Sequence, residues 1–306
     1  MIRTLRVGIL LSHVREEEKL LIAAFEKRGV DPIRLLDRTI TFEVTALDRP
    51  QPVPLDLVLD RGMAHHRAAV ALQVFDGLGV PTINTSRASG IADDKVATSI
   101  ALARAGVPTL RTAVAFDIES ALKVLDEDLG YPAVIKPVTG SWGRLLAKVN
   151  SPTAARAVLE HKRRLGSYHH GVFYLQEFVA KPGRDLRIFV VGDEIVAASY
   201  RSAEHWVTNV ARGAVSTACP ITPEIADVSL RAARAVGTEL AGIDLVETAT
   251  GLQVIEVNTG AEFKGLMRTT DKDIAGAIVD YVIGRALRVR EQAAGGALAH
   301  GRAGIA

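Results

Sequence analysis

The sequence predicts a mixed α/β chain, with alternating strands and helices in its first part and an antiparallel α+β region toward its end. Three observations lead there. Strand-length apolar runs at 6–11, 56–60 and 80–83 alternate with amphipathic stretches at Glu16–Lys27 and 65–78, the pattern of a parallel sheet with crossover helices. Farther on, 188–191 and 195–200 flank Gly192-Asp193-Glu194, a hairpin turn. Two β-branched runs, 242–247 and 254–258, then face each other across Ala249-Thr250-Gly251. A length of 306 residues suits two or three domains, each with its own core.

Composition excludes several classes. With 48% hydrophobic residues, 24% charged residues and a net charge of +2, the chain gives no general reason to expect nucleic-acid binding. No apolar run approaches a membrane span, and the N-terminus lacks a signal-peptide pattern. The single cysteine, Cys219, excludes an intramolecular disulfide and reads as a structural thiol in a reducing compartment. A cytoplasmic protein is expected.

Taken in order, the first helix is stopped by Gly29 and the second by Gly79. This first part carries no Gly-x-Gly-x-x-Gly fingerprint, so a dinucleotide is not implied. His65 and His66 open a helix without ligand-spaced partners and read as capping or surface residues. Asp93-Asp94-Lys95 begins the next helix, which ends at Gly106-Val107-Pro108. Acidic residues suit a helix start, whereas Lys95 opposes the helix dipole and asks for a function. A second β/α segment, 112–176, places strands at Ala133–Lys136, 145–149 and 172–177 around a glycine loop and a helix at Pro152–Leu165. Lys162-Arg163-Arg164 on that helix reads as a solvated face. Helices at 223–240 and 274–287 frame the last hairpin, and the Ala/Gly-rich 291–306 stretch reads as disordered.

Chemistry concentrates in a few places. Glu256 and Asn258 are two apart and share a strand face, with Asp244 on the facing strand. Two carboxylates and an amide oxygen suit Mg²⁺, though acidic residues also sit at strand ends simply to face water. Thr139-Gly140-Ser141-Trp142-Gly143-Arg144 joins two strands and is not a P-loop, but its glycines let backbone N–H groups approach an anion. Lys136 precedes that loop. Gln176-Glu177-Phe178-Val179 closes a strand whose free backbone groups would pair with an adenine edge, or is an ordinary strand end. A second basic cluster comprises Arg184, Arg187, Arg201 and Arg212.

The order Lys95, Lys136, Gly140–Gly143, Gln176-Glu177-Phe178-Val179, Arg184-Asp185-Leu186-Arg187, Asp244, Glu256-Val257-Asn258 resembles the ATP-grasp fold, in the branch that includes RimK. It is more similar still to LysX-type ligases, through Gly140 to Lys148, Lys181-Pro182-Gly183-Arg184-Asp185, His205-Trp206-Val207-Thr208-Asn209 and Glu262-Phe263-Lys264. The resemblance spans about residues 5–285. It implies an N-terminal Rossmann-like pre-ATP-grasp domain (1–92), a central lid (93–185), a C-terminal antiparallel domain with the metal site (186–288) and the tail from 289.

The resemblance also implies an ATP- and Mg²⁺-dependent ligase using two ions. Such enzymes phosphorylate a carboxylate and let an amine displace the phosphate. LysX-type members join α-aminoadipate or glutamate to the C-terminal glutamate of a small acidic amino-group carrier protein, in lysine or arginine biosynthesis, and act as dimers or tetramers. On this basis Lys95, Lys136 and the loop with Gly140, Ser141, Trp142 and Gly143 would hold phosphates. Glu177 and Val179 would read adenine, with Lys181 or Asp185 beside the nucleoside. Asp244, Glu256 and Asn258 would hold Mg²⁺. Phosphoryl transfer between anions needs cations and in-line positioning, a role suited to Arg187, Arg201 and Arg212 with Asn209 completing the oxygen cage. Trp206, Thr259, Gly260, Ala261 and Glu262 would border the amino-acid pocket. Here the chain departs from LysX proteins, which carry bulkier residues after the Asn and an Asn after Phe-Lys, so glutamate stands beside α-aminoadipate. Two other readings remain: a RimK-like ligase adding glutamate to a protein tail, and a silent nucleotide-binding module that docks a carrier.

Overall fold

A computed structural model describes residues 5–45, 54–140, 144–166 and 171–303. Its first sheet is parallel, ordered β2-β1-β3-β4, from β1 (Val7–Leu11), β2 (Ile33–Leu36), β3 (Leu57–Arg61) and β4 (Thr82–Ile83). Every residue of β1 is buried, because helices cover both faces of the sheet. Val7, Ile9 and Leu11 meet Leu21 and Phe25 of α1 (Glu16–Lys27), while Leu10 meets Ala68, Ala71 and Phe75 of α2 (His65–Gly77). The two-residue period of the strand thus supplies one side chain set to each helix layer.

A helix that the sequence pattern did not show precedes the one expected from Asp93. α3 (Ser86–Asp93) ends at Asp94, whose carboxylate accepts the N–H groups of Val96 and Ala97 and so opens α4 (Lys95–Arg104). The central sheet is antiparallel, ordered β5-β8-β6-β7, from β5 (Thr112–Ala115), β6 (Ala133–Lys136), β7 (Ala147–Val149) and β8 (Phe173–Glu177). Its core is closed by α5 (Ile118–Val124) and α6 (Pro152–Leu165), the latter started by a Ser151 cap and a proline in its first turn. Lys162 departs from the expected solvated face: it is half-buried and its Nζ donates to the Lys136 carbonyl at 3.4 Å.

The third sheet is antiparallel, ordered β11-β10-β9-β12-β13, from β9 (Arg184–Val191), β10 (Glu194–Ser202), β11 (Val215–Ala218), β12 (Leu240–Thr248) and β13 (Gly251–Asn258). α7 (Pro223–Val236) packs beneath it together with Ala92 of α3 and Leu102 of α4. The central sheet occupies 112–177, whereas α4 joins the third sheet's core and β9 begins at Arg184. A short helix, α8 (Lys264–Met267), precedes α9 (Ile274–Ala303). α9 replaces the disordered tail expected from 289: alanine is the strongest helix former, and the run there extends a helix already anchored by Ile278, Val279 and Val282.

The first and third sheets share one core, where Phe189 and Val191 of β9 meet Ile9, Leu21 and Ile278. Asn84 stitches them by hydrogen bonds. Its Oδ1 accepts the N–H groups of Glu239 and Leu240 at 2.6 and 2.9 Å, and its Nδ2 donates to the Leu240 carbonyl at 2.7 Å. Asn84→Ala leaves three backbone groups unpaired in a buried place, and is expected to cost about 3 kcal/mol, read as a lower urea midpoint.

Candidate active site

A cavity of about 1050 Å³ opens between the three sheets. Its floor is the β12–β13 hairpin, where Asp244 lies opposite Glu256 and Gly242 opposite Asn258. A bulge between Asp244 and Leu245 leaves Ile255 without a cross-strand partner, so Ile255 and Glu256 both line the cavity. The sequence-based pairing of these acidic residues holds in this register.

The Asp244 carboxylate is the electrostatic centre. Arg201 Nη2 lies 3.0 Å from Oδ2, Arg187 Nη2 donates to the same oxygen at 3.1 Å, and Arg187 Nε lies 2.6 Å from Oδ1. That last contact is close in distance but misaligned as a hydrogen bond, leaving both atoms buried without a hydrogen-bond partner among the described residues. Burial raises the Asp244 pKa against the pull of the two arginines. Burial lowers that of Arg187. Burial opposes the charge of Arg201 too, but Asp244 and Asp185 outweigh it and hold its pKa above the usual value.

From Arg201 the network runs outward. Its Nε donates to Asp185 Oδ1 at 2.7 Å; the other oxygen of Asp185 accepts from Thr208 and lies 3.3 Å from Lys181 Nζ. Lys181 also donates to Thr208 Oγ1 at 2.6 Å, and burial lowers its pKa. On the opposite wall Lys95 Nζ donates to the Gly140 carbonyl at 2.9 Å and lies 3.3 Å from Glu256. The amine thus ties the start of the glycine loop to the hairpin. Lys136, buried at the end of β6, donates to Gln176 Oε1 at 2.5 Å, and burial pushes its pKa down to about 8.

The other residues singled out from the sequence fall as follows. Gly140 has φ +131° and lines the cavity, whereas Ser141, Trp142 and Gly143 lie outside the described residues. Glu177 and Val179 line it too, although the Glu177 carboxylate accepts the Arg111 N–H at 2.8 Å and the Val179 carbonyl accepts the Lys181 N–H at 3.0 Å. Trp206 stands edge-on to Phe178 at 6.1 Å, with Lys148 Nζ 3.7 Å from the Phe178 ring. Asn209, Thr259, Gly260, Ala261 and Glu262 all line the cavity. Arg212 is exposed in a short 3₁₀ turn outside that lining, so the expected arginine set reduces to Arg187 and Arg201. Arg184 turns away to Glu247 at 2.8 Å.

Sequence reasoning assigned no role to the side chains of Gln176 and Thr208 or to the bare backbone of Gly242. A Cβ at Gly242 would fall 2.5 Å from Arg187 Nη1 and 2.6 Å from the Ala261 methyl, so only glycine lets Arg187 lie across β12 to Asp244. A glycine inside a strand pattern was the available signal.

The donor set fits a hard cation. Two carboxylates and an amide oxygen share one sheet face, and Asp244 keeps one buried oxygen without a hydrogen bond. No group of three or more His, Cys, Asp or Glu suited to a metal exists among the described residues. Such a cation would therefore complete its shell on phosphate oxygens and water. Lys95, Lys136 and Lys181 add positive charge around the same space.

A cleft between sheets that pairs lysines with a small carboxylate set on an antiparallel hairpin defines a nucleotide-dependent ligase class. The chain belongs to the RimK-like ATP-grasp family, whose domain matches residues 92–282, and a LysX preATP-grasp domain matches residues 7–91. It is 35% identical to the alpha-aminoadipate–LysW ligase LysX of Saccharolobus solfataricus over 263 residues, covering 85% of this chain and 94% of that one. It is 32% identical to the glutamate–LysW ligase ArgX of Sulfolobus acidocaldarius over 289 residues, covering 93% and 100%. Among solved structures, a RimK domain ATP-grasp protein from Sphaerobacter thermophilus superposes with a TM-score of 0.76 at 28% identity, covering 90% and 99%. The chain is an ATP-grasp ligase of the carboxylate–amine type. No helix among the described residues is long and apolar enough to cross a membrane.

Gly242→Ala is expected to displace Arg187 or Ala261, costing about 1–3 kcal/mol of stability. Turnover should fall by about 100-fold through the misplaced arginine. Melting curves and steady-state rates check the pair.

Proposed function

We propose that this chain activates the C-terminal glutamate side chain of a small acidic amino-group carrier protein as an acyl phosphate, then joins it to the α-amino group of glutamate or α-aminoadipate, releasing ADP and phosphate. The observation that carries the reading is the Asp244–Glu256–Asn258 face, opposed by Lys95 and Lys136 across one cavity. The two relatives named above support the substrate class, one being a ligase for each amino diacid. The LysX preATP-grasp domain at 7–91 favours a carrier over the RimK-like alternative of a protein tail.

In this reading Asp244, Glu256 and Asn258 hold two Mg²⁺ ions, which neutralise phosphate charge when bound. Lys95 and Lys136 draw the phosphates into line. Lys95 is held by Glu256 and Gly140 before any ligand arrives, so little ordering remains to be done on binding. Arg187 stabilises charge on the acyl phosphate by a fork-shaped contact. Arg201, engaged by both Asp185 and Asp244, keeps the metal carboxylate oriented rather than meeting substrate itself. The attacking amine must be neutral, and its displaced proton leaves with phosphate or water.

Incubation with ATP, Mg²⁺, a LysW-type carrier and each amino diacid should yield ADP, phosphate and a carrier heavier by one residue. No mass increase with any amino diacid would sink the reading, and repeated additions would favour the protein-tail alternative. Asp244→Asn or Glu256→Gln should lower turnover by at least about 100-fold while the protein still folds.

Lys136 makes nucleotide binding pH-dependent. The free protein loses this ammonium above about 8, because burial disfavours the charge, whereas bound phosphates retain it to higher pH. Binding therefore takes up a proton, and ADP affinity should fall as pH rises through about 8, by up to about tenfold per unit. In Lys136→Met that slope should vanish, as calorimetric titrations at several pH values would show.

A further inference from the structure

We propose that Glu17 and Arg61, both from the first α/β unit, are positioning residues that hold the 261–264 turn and thereby shape the amino-diacid pocket. This rests on the reading above that the residues after Asn258 border that pocket. The Arg61 side chain, 5% exposed at the end of β3, has Nη2 at 2.7 Å from Glu17 Oε2 and 3.3 Å from Glu18 Oε1. Its Nη1 crosses between domains to donate to the Ala261 carbonyl at 3.1 Å, with the guanidinium 5.7 Å from the Phe263 ring centre.

Glu17 completes the hold. Its Oε1 accepts the N–H of Phe263 at 2.8 Å and of Lys264 at 2.6 Å. These belong to the start of α8, whose own N-cap residue supplies no side-chain cap, so a carboxylate from α1 caps it in trans. At the rim Arg15 pairs with Glu262 and Lys264 with Glu16. Arg15, Glu17, Glu18 and Arg61 sum to zero charge, as a buried cluster must.

An apolar pair would close the α1–β3 contact at lower desolvation cost, but would offer nothing to three peptide groups of a distant turn. The consequence reaches the arginine over Asp244. Ala261 packs into the space where a Gly242 side chain would stand, beside Arg187, so a slack turn loosens both.

Glu17→Ala removes the acceptor for two N–H groups, whereas Glu17→Gln keeps that acceptor but turns an amide N–H2 toward Arg61 and leaves one positive charge unbalanced, so part of the hold survives. In Glu17→Ala the KM for glutamate or α-aminoadipate should rise by at least about tenfold, with the KM for ATP within about twofold and Glu17→Gln between wild type and Glu17→Ala. Hydrogen exchange at amides 263–266 should quicken by at least about tenfold in Glu17→Ala and by less in Glu17→Gln. Equal shifts in both KM values, or unchanged exchange, would overturn the proposal. A wild-type protein that ligates no amino diacid would defeat the functional reading instead, and exchange would still decide the clamp. If Glu17→Ala does not fold, Arg61→Lys serves, since one ammonium cannot span Glu17 and the Ala261 carbonyl together.

Discussion

The Asp244 carboxylate, buried between Arg187 and Arg201, is the constraint on which the site is built. A carboxylate in that position is tolerated only with charge partners, and each partner dictates something else. Arg187 must cross β12, which demands glycine at 242. Arg201 must also hold Asp185, and Asp185 in turn gathers Lys181 and Thr208. One desolvated charge thereby orders side chains from β9, β10 and β12 together with Lys181 and Thr208.

The opposite wall works by the same logic with the sign reversed. Burial disfavours the Lys136 ammonium, with Glu256 pulling the other way and Lys95 and Lys181 adding to the cost, so its charge is weakly held. Lys95 is balanced by Glu256, which links the wall to the floor. Electrostatic preorganisation of that sort is what phosphoryl transfer to a carboxylate asks of a protein.

Much of this was legible because the relevant signals are local. Asp244, Glu256 and Asn258 could be paired from strand length and a short turn, since a tight hairpin limits register. Lys95 stood out because a lysine at the first helical position opposes the helix dipole, and the structure gives it Glu256 and the loop carbonyl as partners. Arg212 misled for a physical reason: sequence order placed it with Arg187 and Arg201, but a 3₁₀ turn carries it outside the cavity lining. The Ala/Gly-rich end was equally ambiguous, since its composition suits both disorder and the continuation of an anchored helix.

By itself the sequence determined most of the main strands and helices and the residue types of the candidate site, because periodicity and turn residues are properties of short stretches, while the ATP-grasp class followed from the resemblance of its motif order. Tertiary structure decided which charges meet. It set Arg201 between two carboxylates, packed α4 into the third sheet's core, and brought Glu17 and Arg61 to a turn some two hundred residues away. Contacts of that range depend on how three sheets pack around a cleft, and no spacing along the chain encodes them.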